Sequence, residues 1–138
     1  MTTAQQELAS FVENWEESAE GNKKAFERLY TYMQTLEKAA LTFFPRPGVT
    51  YSLRGVLEND PDNTLFVMVD VIEDSPRWLS VCFYGAMIHD AEEKGAFVPG
   101  GLLGQDAVCF DLEEYNEKEL TYVEQRIAEA YAARCKGV

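Results

Sequence analysis

Apolar residues in the first forty positions recur every three or four residues, which is the spacing of an amphipathic helix. The first stripe consists of Leu8, Phe11, Val12, Trp15 and Ala19. Thr3 and Gln6 supply a capping box before it, and Gly21 supplies a stop after it. A second stripe, with Asn22 as its N-cap, consists of Phe26, Leu29, Tyr30, Met33, Leu36 and Ala40. The pattern predicts two consecutive amphipathic helices joined by a short link.

From Leu41 onward the pattern changes to short apolar runs rich in β-branched and aromatic residues, which is typical of strands. The runs cover residues 41–44, 49–57, 65–72, 78–84 and 107–112. Turn residues separate them at 45–48, 59–63 and 73–76. The almost continuous apolar run at 65–72 favours a central strand that is covered on both faces. Because the turns are short, the strands are expected to form an antiparallel meander.

Residues 85–106 show the least regular pattern. Residues 86–94 fit a short helix, whereas glycines and Pro99 interrupt residues 95–105, which favours a functional loop. A closing helix follows, with a capping signal at Asn116 and Glu119. Its stripe consists of Leu120, Val123, Ile127, Ala130 and Tyr131. The sequence therefore predicts one α+β domain over residues 1–138, with two N-terminal helices, a meander sheet of four or five strands, and a C-terminal helix packed on the sheet.

The balance of charge restricts the partners. The 138 residues carry 24 acidic and 12 basic side chains, a formal net charge of -12 that would repel nucleic acid and anionic lipid. The N-terminal residues lack a secretory signal, and no stretch approaches the roughly 18 apolar residues of a membrane helix. We therefore expect a cytoplasmic protein that binds neither nucleic acid nor membrane. Its three cysteines form no C-x-x-C pair, so we expect reduced thiols without a disulfide framework or a zinc site.

Acidic residues in the first helix are a candidate partner-binding surface. Glu13, Glu16, Glu17 and Glu20 have helical spacing, which predicts an acidic ridge along one side of that helix. A solvated face that only improves solubility is the simpler interpretation. As a functional surface, the ridge would attract a basic protein partner.

A second group of candidates lies in the predicted sheet. Asp70 stands in the central strand, where an unpaired carboxylate would be costly to bury, so an ion pair with Arg54 or Arg77 is expected. If helices cover only one face of the sheet, its open face would present aromatic residues that suit a peptide or small apolar ligand. The candidate ligand-binding residues are Tyr51, Arg54, Asp70, Trp78, Tyr84 and His89. His89 is the only histidine, and it has no evident partner for acid–base catalysis.

The order of an acidic leading helix, an antiparallel sheet and a closing helix is similar to the layout of frataxin-type iron-handling proteins. The second helix departs from that layout, and no family motif aligns residue by residue. This resemblance in order implies a third, weaker hypothesis, that of acidic cation binding.

No catalytic, cofactor-binding or metal-binding motif is evident, so we identify no catalytic residues, cofactor or metal ligands. The leading hypothesis is a non-enzymatic cytoplasmic domain of acidic surface that binds a protein partner. The alternative is a small-molecule-binding domain or enzyme with a pocket between the sheet and the 95–105 loop. Exposed sheet edges would also permit a homodimer.

Overall fold

Neighbouring strands run antiparallel throughout the sheet. The computed structural model describes residues 3–138. The elements in chain order are α1 (Ala4–Asn14), α2 (Asn22–Gln34), β1 (Ala39–Arg46), β2 (Thr50–Leu57), β3 (Leu65–Ile72), β4 (Trp78–Tyr84), a 3₁₀ turn (Gly85–Met87), β5 (Ala96–Leu102), β6 (Gln105–Leu112) and α3 (Glu117–Cys135). The strand order is β1-β2-β3-β4-β6-β5. The α+β prediction is confirmed, although the described residues form six strands rather than four or five.

All three helices pack on one face of the sheet. Side chains that stand directly opposite one another across five strands mark this face, and they are Phe43, Leu53, Val69, Val81 and Phe110. Phe11 of α1 packs 5.6 Å from Phe43, and Tyr122 of α3 packs 6.0 Å from Phe110, measured between ring centroids. Phe26 of α2 meets Phe11 edge-on at 6.0 Å. Side chains alternate between the two faces along each strand. Since all three helices pack on this face, none of them covers the opposite face in the described chain.

The additional strand, β5, corrects the prediction of a loop at 95–105. It pairs with β6 at the edge of the sheet, with a register shift between Val98 and Leu102. Glycines and Pro99 are tolerated there because an edge strand leaves one side of its backbone unpaired. The predicted helix at 86–94 is also wrong, since only Gly85–Met87 forms a single 3₁₀ turn. An edge strand thus takes the place of most of the predicted loop, and the pocket between the sheet and residues 95–105 stays a prediction.

Both N-terminal helices are shorter than predicted. The Thr3–Gln6 capping box is confirmed, but α1 ends at Asn14, where Trp15 becomes extended (φ -82°, ψ 117°) and is only 5% exposed. Burying this indole against Phe26, at a ring separation of 5.8 Å, takes the chain off the helical path. The second helix ends at Gln34, so the last predicted position of its stripe, Ala40, lies in β1.

The start of α2 differs from the prediction in its capping residue. Gly21 occupies the N-cap position in a left-handed conformation (φ 76°) and brings no side chain to cap the helix. The Glu17 carboxylate takes over this function, because it accepts hydrogen bonds from the backbone N–H groups of Lys23 (3.2 Å) and Lys24 (3.0 Å). A carboxylate at this end of a helix is also favoured by the helix dipole.

Asn22 connects three segments that are far apart in sequence. Its side chain is 1% exposed and lies at the first turn of α2. The amide Nδ2 donates to the carbonyl of Arg77, before β4, at 2.7 Å and to the carbonyl of Glu113, before α3, at 3.0 Å. The backbone N–H of Tyr115 also donates to the carbonyl of Glu20 at 2.7 Å. These bonds attach the start of α2 to the sheet and to the approach to α3.

An ion pair joins α2 to the closing helix. The Arg28 guanidinium donates to both carboxylate oxygens of Glu124, at 3.1 and 2.9 Å, and to the hydroxyl of Tyr115 at 3.1 Å. Asn116 caps α3 as predicted by accepting from the backbone N–H of Glu119 at 3.0 Å. Within residues 3–138, none of the helices is both long and apolar enough to cross a membrane.

The sheet contains a β-bulge that accommodates a large aromatic ring. The pairing of β2 with β3 shifts between Gly55 and Val56, so Phe66 and Val67 together oppose Gly55. The fully buried Phe66 ring lies over Gly55 and packs 5.4 Å from the ring of Tyr131 on α3. A Cβ atom at Gly55 would stand 2.7 Å from Cζ of Phe66. The glycine is therefore needed for close approach of the ring to the backbone.

We expect Gly55→Ala to lower the free energy of unfolding by about 2 kcal/mol, because the buried Phe66 ring has no space to move aside. Urea denaturation measures this change. Gly85→Ala is the matched control, since its new Cβ would meet only the Asp106 carbonyl oxygen at 3.8 Å. The control should change stability by less than about 0.5 kcal/mol. Equal losses in the two variants would contradict this role for Phe66.

Candidate functional site

The face of the sheet that carries no helix is here called the open face, and two of the sequence-predicted site residues lie in two neighbouring rows across it. One row runs across Phe44, Ser52, Asp70, Ser80 and Asp111. The next row runs across Thr42, Arg54, Met68, Cys82 and Cys109. Thus Asp70 and Arg54 share this face, with Asp70 at its centre.

Asp70 is held in an unusual polar environment. Burial raises the pKa of its carboxyl group, while the Ser52 hydroxyl and the charges of Arg54 and Arg46 act in the opposite direction without cancelling the rise. Its Oδ1 atom is buried and has no hydrogen-bond partner among the described residues. A carboxylate in this state raises the energy of the folded protein when it is ionised.

The ion pair predicted for Asp70 does not form. Arg54 Nε donates to Ser52 Oγ at 3.1 Å, and its guanidinium stacks 4.4 Å from the ring of Phe44. Within residues 3–138 the salt bridges include none between Asp70 and Arg54 or Arg77. Arg54 therefore influences Asp70 through Ser52 and through its charge at longer range.

Arg77 and Tyr51 belong to the helix-covered side. Arg77 pairs with Glu73, and its guanidinium lies among three rings, 5.1 Å from Phe11, 5.4 Å from Trp15 and 5.2 Å from Tyr51. Tyr51 also stacks on Phe11 with 4.3 Å between centroids. The prediction that Tyr51 lines the open face is therefore wrong, because its ring helps to hold α1 against the sheet.

The other predicted aromatic residues and the histidine are dispersed. Trp78 and Tyr84 occupy the alternate positions of β4 that belong to the open face, but they lie at opposite ends of the strand. The Trp78 indole donates to Asp74 at 3.0 Å, and Tyr84 is largely buried. His89 lies beside α3, where its backbone N–H donates to the Glu129 carboxylate, so the structure does not bring it to Asp70.

The predicted acidic ridge is not a helical surface. Of its four members only Glu13 lies in α1, because the helix ends before Glu16, Glu17 and Glu20. Glu17 is occupied as the carboxylate cap of α2. The helical spacing on which the ridge was based is thus lost, although all four side chains remain exposed. Binding of a partner by these residues stays a prediction.

The strand register creates a cysteine pair that sequence spacing did not reveal. Cys82 of β4 and Cys109 of β6 stand directly opposite each other on the open face. The neighbouring Cys109 thiol is the larger cause, and burial the second, of a rise in the pKa of Cys82 far above its usual range. The interaction with Cys82 lowers the pKa of Cys109. Cys109 is therefore the partner that more readily becomes a thiolate.

A cleft at the other end of the sheet is the second candidate site. It has a volume of about 410 Å³ and lies between the start of α1, the end of α2 and strand β1. We call it the β1 cleft. Its lining residues are Thr3, Ala4, Gln5, Leu8, Tyr30, Met33, Gln34, Ala39, Leu41, Thr42, Phe43 and Leu53. No lining residue is an acid, a lysine, an arginine or a histidine, although charged residues make up 26% of the chain.

The cleft opens beside the free edge of β1. The N–H groups of Glu58 and Val49 donate to the carbonyls of Lys38 and Arg46, which shows that even-numbered residues around β1 direct their backbone groups toward β2. By alternation, Leu41 and Phe43 direct their N–H and C=O groups away from the sheet. The backbone of Pro45 also faces away from β2, so the missing N–H of this residue does not interrupt the pairing with β2.

This cleft is not evident from the sequence, because its residues belong to the predicted helix stripes and to a predicted short strand. The signal that could have found it is the stretch 39–43, which is uncharged and begins a strand at the edge of the sheet. In the described part of the chain, no three His, Cys, Asp or Glu side chains are arranged to hold a metal ion.

Comparisons with protein-family models, with curated proteins and with solved structures found no match to the chain.

We expect Asp70→Asn to raise the free energy of unfolding at pH 7 by about 1 kcal/mol, because it removes a desolvated charge. Since folding raises the pKa of Asp70, its contribution favours the folded state at acid pH and is lost as the pH rises through the folded-state pKa. The gain from Asn should therefore shrink toward pH 4. Urea denaturation at both pH values measures it, with exposed Asp111→Asn as the control; a gain independent of pH would contradict the assignment.

We expect iodoacetamide to modify Cys109 before Cys82 at pH 7, by about tenfold or more in rate. Cys109 is half-buried and has the lowered pKa, whereas Cys82 is 5% exposed and has the raised pKa. Peptide mass spectrometry of the Cys135→Ser protein follows both thiols without interference from the exposed third cysteine. Similar rates at the two positions would contradict the opposite pKa shifts of the two thiols.

Proposed function

We propose that the protein is a cytoplasmic, non-enzymatic interaction domain that binds an extended segment of a partner protein along β1. One uncharged apolar side chain of that segment would enter the β1 cleft. The observation that carries this proposal is that an uncharged cleft opens directly beside an unpaired strand edge. The three free cysteines are in keeping with a reducing compartment.

The edge of β1 supplies the main-chain part of this recognition. Leu41 and Phe43 each offer an outward N–H and C=O, so a partner strand can form about four backbone hydrogen bonds with them. Such bonds are largely independent of the partner's sequence. Pro45 limits the length of the added strand, because its nitrogen has no hydrogen to donate.

The β1 cleft supplies the selectivity. Its floor contains the buried side chains of Leu8, Met33, Phe43 and Leu53, while Gln5, Tyr30 and Gln34 bring polar groups to its rim. The side chains of Leu41 and Phe43 point to the same side of the sheet as the cleft, so alternate side chains of an added strand would reach it. A charged side chain would lose hydration there without gaining an ionic partner.

The overall charge favours a partner with basic residues near the bound segment. A protein of net charge -12 attracts cationic chains at long range and increases their rate of association. The preferred segment is therefore extended, apolar at alternate positions, and flanked by lysine or arginine.

We expect random heptapeptides displayed on phage and selected on the wild-type protein to have these features. Leu41→Pro removes one outward N–H but no bond between β1 and β2, so it should weaken a selected peptide about tenfold. Ala4→Trp should also weaken it, because Ala4 is exposed and a large ring there fills the mouth of the cleft. Fluorescence anisotropy of the resynthesised peptides measures both dissociation constants.

Phe97→Ser is the matched control, since Phe97 is 64% exposed and lies on β5 at the opposite edge of the sheet. It should leave peptide affinity unchanged. Selected peptides that bind Leu41→Pro and Ala4→Trp as tightly as the wild type would overturn the proposal. Sedimentation of the free protein over a range of concentrations identifies the case in which β1 of a second copy occupies the edge.

A neutral small molecule is the second candidate ligand, because the volume of the cleft lies in the range of small-molecule sites. A thermal-shift screen of neutral compounds distinguishes the two functions. A compound whose stabilisation is lost in Ala4→Trp but retained in Leu41→Pro would favour the small molecule over the strand.

A further inference from the structure

Three sulfur atoms belong to adjacent positions of the open face. Met68 of β3 stands directly opposite Cys82 of β4, and Cys82 stands directly opposite Cys109 of β6. These three strands are consecutive in the sheet. We call this group the sulfur row. It lies in the middle of the sheet, whereas the β1 cleft lies under the helices at one edge.

The geometry of an antiparallel sheet keeps these residues close. In an antiparallel sheet, the N–H and C=O groups of one residue point to the same neighbouring strand. Cys82 therefore forms a hydrogen-bonded pair with one of its two partners, Met68 and Cys109, and a non-hydrogen-bonded pair with the other. The corresponding Cα separations are about 5.5 and 4.5 Å. The two thiols lie on the same face of the adjacent strands β4 and β6. The flexible Met68 side chain can reach toward the same point.

From this juxtaposition we propose that Met68, Cys82 and Cys109 form a binding site for a soft monovalent metal ion, Cu(I), with two thiolates and one thioether as ligands. Thiolate and thioether sulfur are the ligands that select Cu(I), whereas Mg²⁺ and Ca²⁺ prefer oxygen. A structural Zn²⁺ site normally needs four nitrogen, sulfur or carboxylate ligands, and the row supplies only two thiols.

The surroundings favour a bound cation. Asp70 lies on the same face, diagonal to Cys82 across the pair of strands β3 and β4, and its buried Oδ1 atom has no hydrogen-bond partner among the described residues. The hydroxyl of Ser80 lies 3.6 Å from the sulfur of Cys82 and can orient it. Met68 and Cys109 are half-buried, so the ion can enter from the open face, which no helix covers. Cys82 is 5% exposed and would shield the bound ion from water.

The test is an anaerobic titration of the reduced Cys135→Ser protein with Cu(I) in competition with a chromophoric chelator. We expect one Cu(I) per chain. Cys82→Ser and Cys109→Ser should each weaken binding by more than about 100-fold, since loss of a ligand exceeds the 10–100-fold effect typical of an outer partner. Met68→Leu keeps the volume of the side chain and should weaken binding about tenfold while both thiols remain.

X-ray absorption at the copper edge provides a second readout that does not depend on affinity. It should show three sulfur neighbours in the reference protein and two in Met68→Leu. Circular dichroism checks that each variant is folded. A Met68→Leu protein with unchanged affinity and an unchanged number of sulfur neighbours would overturn the three-sulfur site.

Two further results would also overturn the proposal. The first is that the reduced protein binds no Cu(I). Formation of a disulfide between Cys82 and Cys109 in air would not then support the metal site. The second is tighter binding of Zn²⁺ than of Cu(I). Because the sulfur row and the β1 cleft share no residue, either site can fail its experiment without affecting the other.

Discussion

The packing of three helices on a single face of the sheet is the constraint from which the other features follow. Phe11, Phe26 and Tyr122 bring one helix each to the same apolar surface, so the buried side chains form one continuous cluster. The opposite face then has no helix to exclude water, and polar residues and sulfur atoms lie there instead. The edge at β1 is open because no further strand pairs with it in the described chain.

Contacts in the helix layer also accompany the early end of α1. Arg77 lies among the rings of Phe11, Trp15 and Tyr51, and the chain leaves the helical path at Trp15. That turn releases Glu17 to cap the next helix. A tertiary contact thus overrides the helical period of the local sequence, which continues to Ala19.

Hydrophobic periodicity was sufficient to predict the class of fold, three helices and five of the six strands. It failed at β5, where Pro99 and several glycines resemble a loop and only pairing with β6 makes the segment a strand. The candidate site was less accessible to prediction. Arg54 and Asp70 were expected to form a pair and do share a face, but the position of Tyr51 depends on its contact with Phe11. The meeting of Cys82 with Cys109 depends on a register between strands that are separated in sequence.

The bridge made by Asn22 has a consequence for the order in which the chain assembles. Its two acceptors, the carbonyls of Arg77 and Glu113, are 55 and 91 residues away along the chain. During synthesis the N-terminal pair of helices emerges long before the second acceptor exists, so it cannot be locked in place by local contacts alone. Final docking of these helices is therefore a late event, and a nascent chain that stalls before residue 113 retains an incompletely attached N-terminal layer.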